Sequence, residues 1–267
     1  KVARSLSYIG PDQRRHYFEQ IKKTQLKAPF ECVQFHFLVE GVTRSFTHQM
    51  VRQRTAVYAQ ESLRLAVKEG FAAEVARPPS LAGTTGGDPL GAEDMREQYA
   101  RNVWDQAVEH AEQAYLHLVE AGMPAEDARG LLPHNVTTRL HYVTNLRALQ
   151  EHAGMRLCTQ AQFEWRMVWA SILRAISGYK TPGSATHFGE HDNWEFREIA
   201  SLFRPVCYLT GKCEFNASFD RKCSIKARVD ANHDIGRASA DWGKEYNNDS
   251  GSHDTHEFGL KSVIRDG

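Results

Sequence analysis

The stretch from Ala92 to Ala121 limits the fold more than any other, because it contains no glycine or proline and reads as one long helix. Met95, Tyr99, Val103, Val108, Tyr115 and Leu118 form its apolar stripe, and Gly122 followed by Pro124 stops it. The aromatic residues of the stripe are expected in the core. Two more helices are expected, one from Thr138 to His152 ending at Gly154, the other from Thr159 to Ser177 ending at Gly178. The latter carries Phe163, Trp165, Val168, Trp169, Ile172 and Ile176. Beside these helices, Val33, Phe35, Phe37 and Val39 alternate with Gln34, His36 and Glu40, the pattern of a half-buried strand that Gly41 breaks. From Thr43, Phe46, Met50, Val51 and Val57 return to helical spacing, which places Gln49, Arg52 and Gln53 near one turn. Leu63, Leu65 and Val67 alternate again and suggest a second strand, leaving Thr55 to Glu61 as a loop. The sum is an α+β chain, long helices beside a small, mostly antiparallel sheet.

Composition excludes more than it identifies. A chain of 267 residues, 41% apolar, can bury one large domain or a domain with an extension. No run of about twenty apolar residues is present, and KVARSLSYIG lacks the apolar centre of a signal peptide, so no membrane partner is expected. Lys plus Arg and Asp plus Glu both number 33, so nucleic-acid binding driven by overall charge is not expected, and any anion site must be local. Five cysteines in such a chain fit reduced thiols and a cytoplasmic location better than a disulfide framework. The stretch RPPSLAGTTGGD from Arg77 to Asp88 reads as a surface loop; Gly83, Gly86 and Gly87 lack the Gly-Lys-Ser/Thr ending of a phosphate cradle.

The chemistry concentrates in THQMVRQRTAVYAQESLRL, Thr47 to Leu65, where Arg52, Arg54 and Arg64 stand among Gln49, Gln60 and Ser62 with Glu61 the only acid. Guanidinium forks suit phosphate, while amides and hydroxyls suit a base or a ribose. A solvated basic helix face is the alternative. Arg52, one residue, Arg54, seven residues and Ser62 closely resemble the Arg-His-Arg, seven residues, Ser signature of the flavin-dependent thymidylate synthases, and Thr47-His48-Gln49 and Leu63-Arg64 extend the likeness. A second stretch, Ala128 to Arg166, resembles a later part of the same family: Ala128-Arg129 before Leu132-Pro133, Thr138-Arg139, Asn145-Leu146-Arg147, Arg156, and Ala161-Gln162 with Glu164. With Pro29-Phe30-Glu31 the likeness covers most of residues 28 to 175. The Arg-Gln-Arg variant resembles phage and actinobacterial members, which would place a phage-encoded chain in the host cytoplasm.

The resemblance implies the family's fold and the conversion of dUMP to dTMP, with methylenetetrahydrofolate as one-carbon donor and reducing equivalents from NADPH through FAD. It implies contacts to dUMP from Gln49, Arg52, Gln60, Ser62, Arg64, Arg129 and Arg156, and to FAD from Glu31, Arg52, Gln53, Arg54, Gln60, Asn145, Arg147 and Glu151. Arg156 would be catalytic, a fixed cation that favours ionisation of the uracil at N3. The family also implies a homotetramer whose sites are shared between subunits. The unrelated folate-only thymidylate synthase uses a cysteine in a Pro-Cys-His setting, and none of Cys32, Cys158, Cys207, Cys213 or Cys223 is so placed. Ser62 has no evident His-Asp pair and is expected to hydrogen-bond rather than attack.

The chain departs from the family in four places near the flavin. Gln53 stands where His is usual, Cys32 where His is common, Ala28 where a hydroxyl is often found, and Glu151 where Asn is frequent. Two alternatives follow, a related enzyme that gives hydroxymethyl-dUMP and a non-catalytic nucleotide-binding homologue. The domain division expected is 1–204 as the catalytic domain and 205–267 as an extension of unknown role. Cys207, Cys213 and Cys223 with His233 lack a close Cys-x-x-Cys pair, so no metal is expected there.

Overall fold

The computed structural model describes residues 9–24, 26–78, 81, 92–158, 160–179, 194–210 and 213. In chain order these form α1 (Pro11–Lys23), α2 (Ala28–Glu31), β1 (Gln34–Thr43), α3 (Arg44–Met50), β2 (Ala56–Gln60), α4 (Phe71–Glu74) and α5 (Ala92–Glu120). After them come α6 (Ala125–Ala128), a 3-10 turn at Arg129–Leu131, β3 (Thr137–Asn145), α7 (Leu146–Arg156), α8 (Phe163–Gly178), α9 (Trp194–Ala200) and α10 (Val206–Thr210). The architecture is α+β, helix-rich around a three-stranded sheet of order β1-β3-β2 in which both pairings are antiparallel.

Two strands run directly into helices, and in both cases the last strand residue is the cap. The Thr43 hydroxyl accepts from the Phe46 N–H at 3.0 Å to start α3, and Asn145 Oδ1 accepts from the Ala148 N–H at 2.8 Å to start α7. Because β1 and β3 are antiparallel, with Thr43 opposite Thr137 and Gln34 opposite Asn145, these helices start at opposite ends of the strand pair. α3 therefore runs back along the sheet, and Gln53 just beyond it reaches the Ala148 carbonyl of α7 with an Nε2 hydrogen bond of 3.3 Å.

One face of the sheet carries an aromatic rung. Phe37, Tyr142 and Tyr58 are aligned across the three strands, with ring centroids 5.8 Å and 5.4 Å apart. Phe46 and Met50 of α3, Leu146 and Leu149 of α7, and Trp165, Val168, Trp169 and Ile172 of α8 close over it as the main core. Phe203 and Tyr208 join this core from beyond α9. A second cluster gathers Phe71, Val108, Tyr115, Ala128 and Val136 around α5. Burial pushes the Tyr142 phenol up to about 12, and its hydroxyl donates to Gln53 Oε1 at 2.9 Å. Tyr142→Phe is expected to cost about 1 kcal/mol without opening a cavity, read as a lower urea midpoint at unchanged slope.

Several sequence expectations are corrected. Residues 137–145 are a strand, not the first part of a helix, because Thr138, Leu140, Tyr142 and Thr144 are buried while Arg139 and His141 are exposed. That period of two was readable, and the helix begins only at Leu146 and runs past Gly154 to Arg156. The second strand is Ala56–Gln60, where a loop was expected, because Tyr58 completes the rung; Leu63 to Leu65 form a turn with Leu65 85% exposed. Val57 accordingly lies on the outer face of β2 and does not continue α3. Gly41 does not end β1: with φ +69° it sits in a bulge between Val39 and Val42, and the strand continues to Thr43. The α5 aromatics divide, Tyr115 entering the core and Tyr99 staying exposed like Met95 and Val103, since packing on α5 concentrates around Val108 and Tyr115. The third helix begins at Phe163 rather than Thr159. Gly83, Gly86, Gly87, Cys223 and His233 lie outside the described residues. Among those described, no helix is long and apolar enough to cross a membrane.

Candidate functional site

Trp165 joins the residues predicted at the two ends of the sequence signal. Its indole Nε1–H donates to Gln49 Oε1 at 3.0 Å, and the Arg156 guanidinium lies 4.4 Å from the ring centroid. Gln49 Nε2 donates onward to Gln162 Oε1 at 2.6 Å. Glu164, the second residue of α8, accepts from both the N–H and the hydroxyl of Thr43 at 2.6 Å each, which fixes the residue that caps α3. Burial raises the Glu164 carboxyl above its ordinary value, opposed by those two bonds. The first turn of α8 thus clamps the helix that carries Gln49. Arg156 ends α7 half-buried, burial pushes its guanidinium below the ordinary value, and its Nε has no hydrogen-bond partner.

A second group forms where β2 leaves the sheet. Gln60 Nε2 donates to Thr47 Oγ1 at 2.8 Å, and the Ser62 hydroxyl accepts from the Arg64 N–H at 3.2 Å. Arg64 pairs with Glu126, just ahead of Arg129. Arg44 donates to the Glu61 carbonyl at 2.7 Å; burial first and then Arg129 lower its guanidinium pKa, against an opposing effect of Glu61. Among the described residues no hydrogen bond or ion pair links Gln60, Ser62, Arg64 or Arg129 to Gln49, Arg156 or Trp165. The residues predicted to hold one nucleotide thus belong to two hydrogen-bonded sets that meet on α3, since Gln60 bonds Thr47 two residues before Gln49.

Of the residues predicted around the flavin, Glu31, Gln53, Asn145, Arg147 and Glu151 gather at the start of α7, whereas Gln60 lies at the other end of β2. Asn145 is the cap of α7, Gln53 reaches Ala148, and Arg147 in the first turn is held by Glu31 at 2.6 Å and by Glu151 at 3.2 Å. The hydrogen bond it donates to Glu31 and then that to Glu151 raise the Arg147 pKa. Arg52 and Arg54 are exposed in the turn before β2. None of Arg52, Arg54, Arg129 and Arg156 has an ion-pair partner among the described residues, so four guanidiniums are free to meet an anionic ligand. The Arg147, Arg52 and Arg54 guanidiniums near the start of α7 suit a diphosphate, so the donor set fits FAD. A cavity of about 930 Å³ lies elsewhere, between α4 and α5 with Arg101, Trp104 and Glu112 on its wall, and holds none of these residues.

Sequence reasoning named Gln49 and Arg156 but gave no role to Trp165, Glu164 or Thr43. Thr43 was detectable as a capping residue ahead of a helix. Trp165 read only as part of an apolar stripe, since neither a ring face nor an N–H direction is visible in spacing.

The family model described as "thymidylate synthase complementing protein" matches residues 3–179. A flavin-dependent thymidylate synthase of Geobacter sulfurreducens is 32% identical over 162 residues, covering 61% of this chain and 64% of the relative. Another, of Pyrococcus abyssi, is 31% identical over 175 residues, covering 65% and 66%, and one of Saccharolobus solfataricus is 30% identical over 207 residues, covering 73% and 74%. The chain spans about half to two thirds of the length of most of these curated relatives.

Proposed function

Given that this chain belongs to the thymidylate synthase complementing protein family, we propose that it converts dUMP to dTMP, with methylenetetrahydrofolate as one-carbon donor and NADPH as reductant. The observation that carries this reading is Arg156, a half-buried cation with no acid partner among the described residues, stacked on Trp165 beside Gln49. A guanidinium in that setting stabilises negative charge on a pyrimidine without changing its own protonation, so it favours ionisation at N3 and activates C5 towards the one-carbon unit. Gln49 and Arg52 on one side and Gln60, Ser62, Arg64 and Arg129 on the other bind the nucleotide. The reading includes a homotetramer in which each site draws on more than one subunit.

FAD would be held by Arg52, Gln53, Arg54, Gln60, Asn145 and Arg147, with Glu31 and Glu151 bordering it on Arg147, and when bound it would supply the hydride taken from NADPH. Gln53 replaces a titratable ring by an amide that is already engaged with Tyr142 and Ala148, so it orders this wall but moves no proton. Residues 1–204 are the catalytic domain and 205–267 an extension in this reading, the protein acts in the cytoplasm, and no nucleic acid takes part. Anaerobic incubation with dUMP, methylenetetrahydrofolate, NADPH and FAD, followed by mass identification of the product, tests the reading. dTMP is the expected product, and unchanged dUMP or hydroxymethyl-dUMP overturns it.

Glu151 gives a further expectation. Two carboxylates already neutralise Arg147, so a flavin phosphate competes with them for the guanidinium. Glu151→Asn is expected to tighten FAD binding by roughly two- to fivefold, an exposed-pair effect that shrinks in high salt. Flavin fluorescence titration at two ionic strengths measures it.

A further inference from the structure

We propose that residues 202–206, which lie beyond the stretch 3–179 matched by the family model, are a brace that positions the Arg156 guanidinium. The inference rests on the dUMP reading, with Arg156 as its catalytic cation, and adds to it a part of the chain outside the family match. α7 ends at Arg156, so the place of that guanidinium depends on how the last turns of α7 are held. Residues four apart on a helix share a face, and residues two apart stand on nearly opposite ones. His152 and Arg156 both meet the indole of Trp165, at 5.0 and 4.4 Å. Gln150 and Gly154 therefore point the other way.

On that second face lies the chain between α9 and the start of α10. Gln150 Nε2 donates to the Leu202 carbonyl at 3.3 Å. One turn further on, Gly154 leaves the helix bare and the backbone of 204–206 lies against it. A Cβ built on Gly154 would stand 3.8 Å from the Arg204 carbonyl oxygen and 3.9 Å from both the Cβ and the amide nitrogen of Val206. The brace is itself pinned. Phe203 is 3% exposed and packs on Trp169 with ring centroids 5.9 Å apart, and Tyr208 of α10 is 4% exposed in the same core. The end of α7 is thus clamped between Trp165 and residues 202–206, and the expected division at 204 falls inside the clamp. Gln150 and Gly154 are positioning residues that act through Arg156.

The test uses the full chain loaded with FAD and reads kcat for dTMP formation. Gly154→Leu keeps a helix former, points away from Arg156 and drives 204–206 off the helix. Gly154→Ala is the control: its added Cβ meets its neighbours at ordinary distances, and activity is expected to be unchanged. Gly154→Leu is expected to lower kcat roughly tenfold and Gln150→Ala roughly threefold, as the guanidinium leaves its place. FAD affinity, read by flavin fluorescence, is expected to stay the same, because Asn145 and Arg147 lie at the other end of α7. Each variant is then repeated in the Arg156→Ala background, where a residue that acts through Arg156 has no further effect. An equal loss in both backgrounds is what a merely structural role gives, and it overturns the proposal, as does unchanged kcat in both variants. Gln150→Ala removes a single hydrogen bond and decides the matter if Gly154→Leu fails to fold. An unchanged protein that makes no dTMP refutes the dUMP reading and the proposal with it, whereas a loss that persists without Arg156 refutes the proposal alone.

Discussion

Replacing Arg156 by alanine is expected to lower dTMP formation by roughly a thousandfold while the protein still folds. The size of the effect follows from the surroundings. Arg156 is half-buried, so its charge is poorly screened, and among the described residues it has no carboxylate to neutralise it. Its stabilisation of a pyrimidine anion is therefore undivided, and no neighbouring side chain replaces it: His152, beside it, is held neutral. The fold survives because Arg156 is the last residue of α7 and contributes to Trp165 only the stacking of an already desolvated guanidinium. Arg156→Lys is expected to recover only part of the activity, since an ammonium lacks the planar face that stacks on the indole. Steady-state product formation by mass spectrometry, with thermal unfolding as the control for folding, measures both. Turnover by Arg156→Ala within tenfold of the unchanged protein would remove Arg156 from its catalytic role.

The second large effect is on stability and comes from His152. Its ring is 5% exposed, stands edge-on to Trp165 and Trp169 at 5.0 and 6.0 Å, and has an Nδ1 with no hydrogen-bond partner among the described residues. Burial, and then the Arg156 charge, push its pKa down from 6.5 to about 4. The folded protein therefore keeps the ring neutral at pH values where the unfolded chain protonates it. The direction follows: stability is full above about pH 6.5, declines as the pH falls, and has lost this contribution near pH 4. The drop amounts to roughly 3 kcal/mol. His152→Phe keeps an aromatic edge against both tryptophans and removes the titration. Between pH 6.5 and 4 the variant is expected to lose roughly 3 kcal/mol less than the unchanged protein, measured by urea unfolding at several pH values. Parallel curves for the two proteins would mean that His152 is not held neutral.

How much was legible beforehand differs by element. α8 and α5 were read correctly to within a few residues, because long apolar stripes ending at glycine or proline are local signals. β3 was misread as helix because Asn145 to His152 is helical and the pattern was extended backwards across the cap. β2 was misplaced by a few residues because its strand character depends on Tyr58 meeting Tyr142, a partner 84 positions away by their numbers. Among the site residues, the arginines were legible as charges. Their partners were not: that Glu31 and Glu151 share Arg147, or that Glu126 takes Arg64, depends on which loops the sheet brings together.

The sequence alone determined the α+β class, the long helices, the absence of a basic surface overall, and two ordered stretches of guanidinium, amide and hydroxyl donors that mark the family. Each of these is set by residue type and by spacing within one segment. Only the tertiary structure decided that Gln49 and Arg156, more than a hundred positions apart, meet on the indole of Trp165, and that Gln60 is tied to Thr47 on the helix that carries Gln49. The reason is geometric. β3 lies between β1 and β2 and sends its chain straight into α7, while Glu164 ties α8 to the cap of α3, so helices from both halves of the sequence converge on one ring. A hydrogen bond or a stacked cation depends on that convergence, and no single segment encodes it.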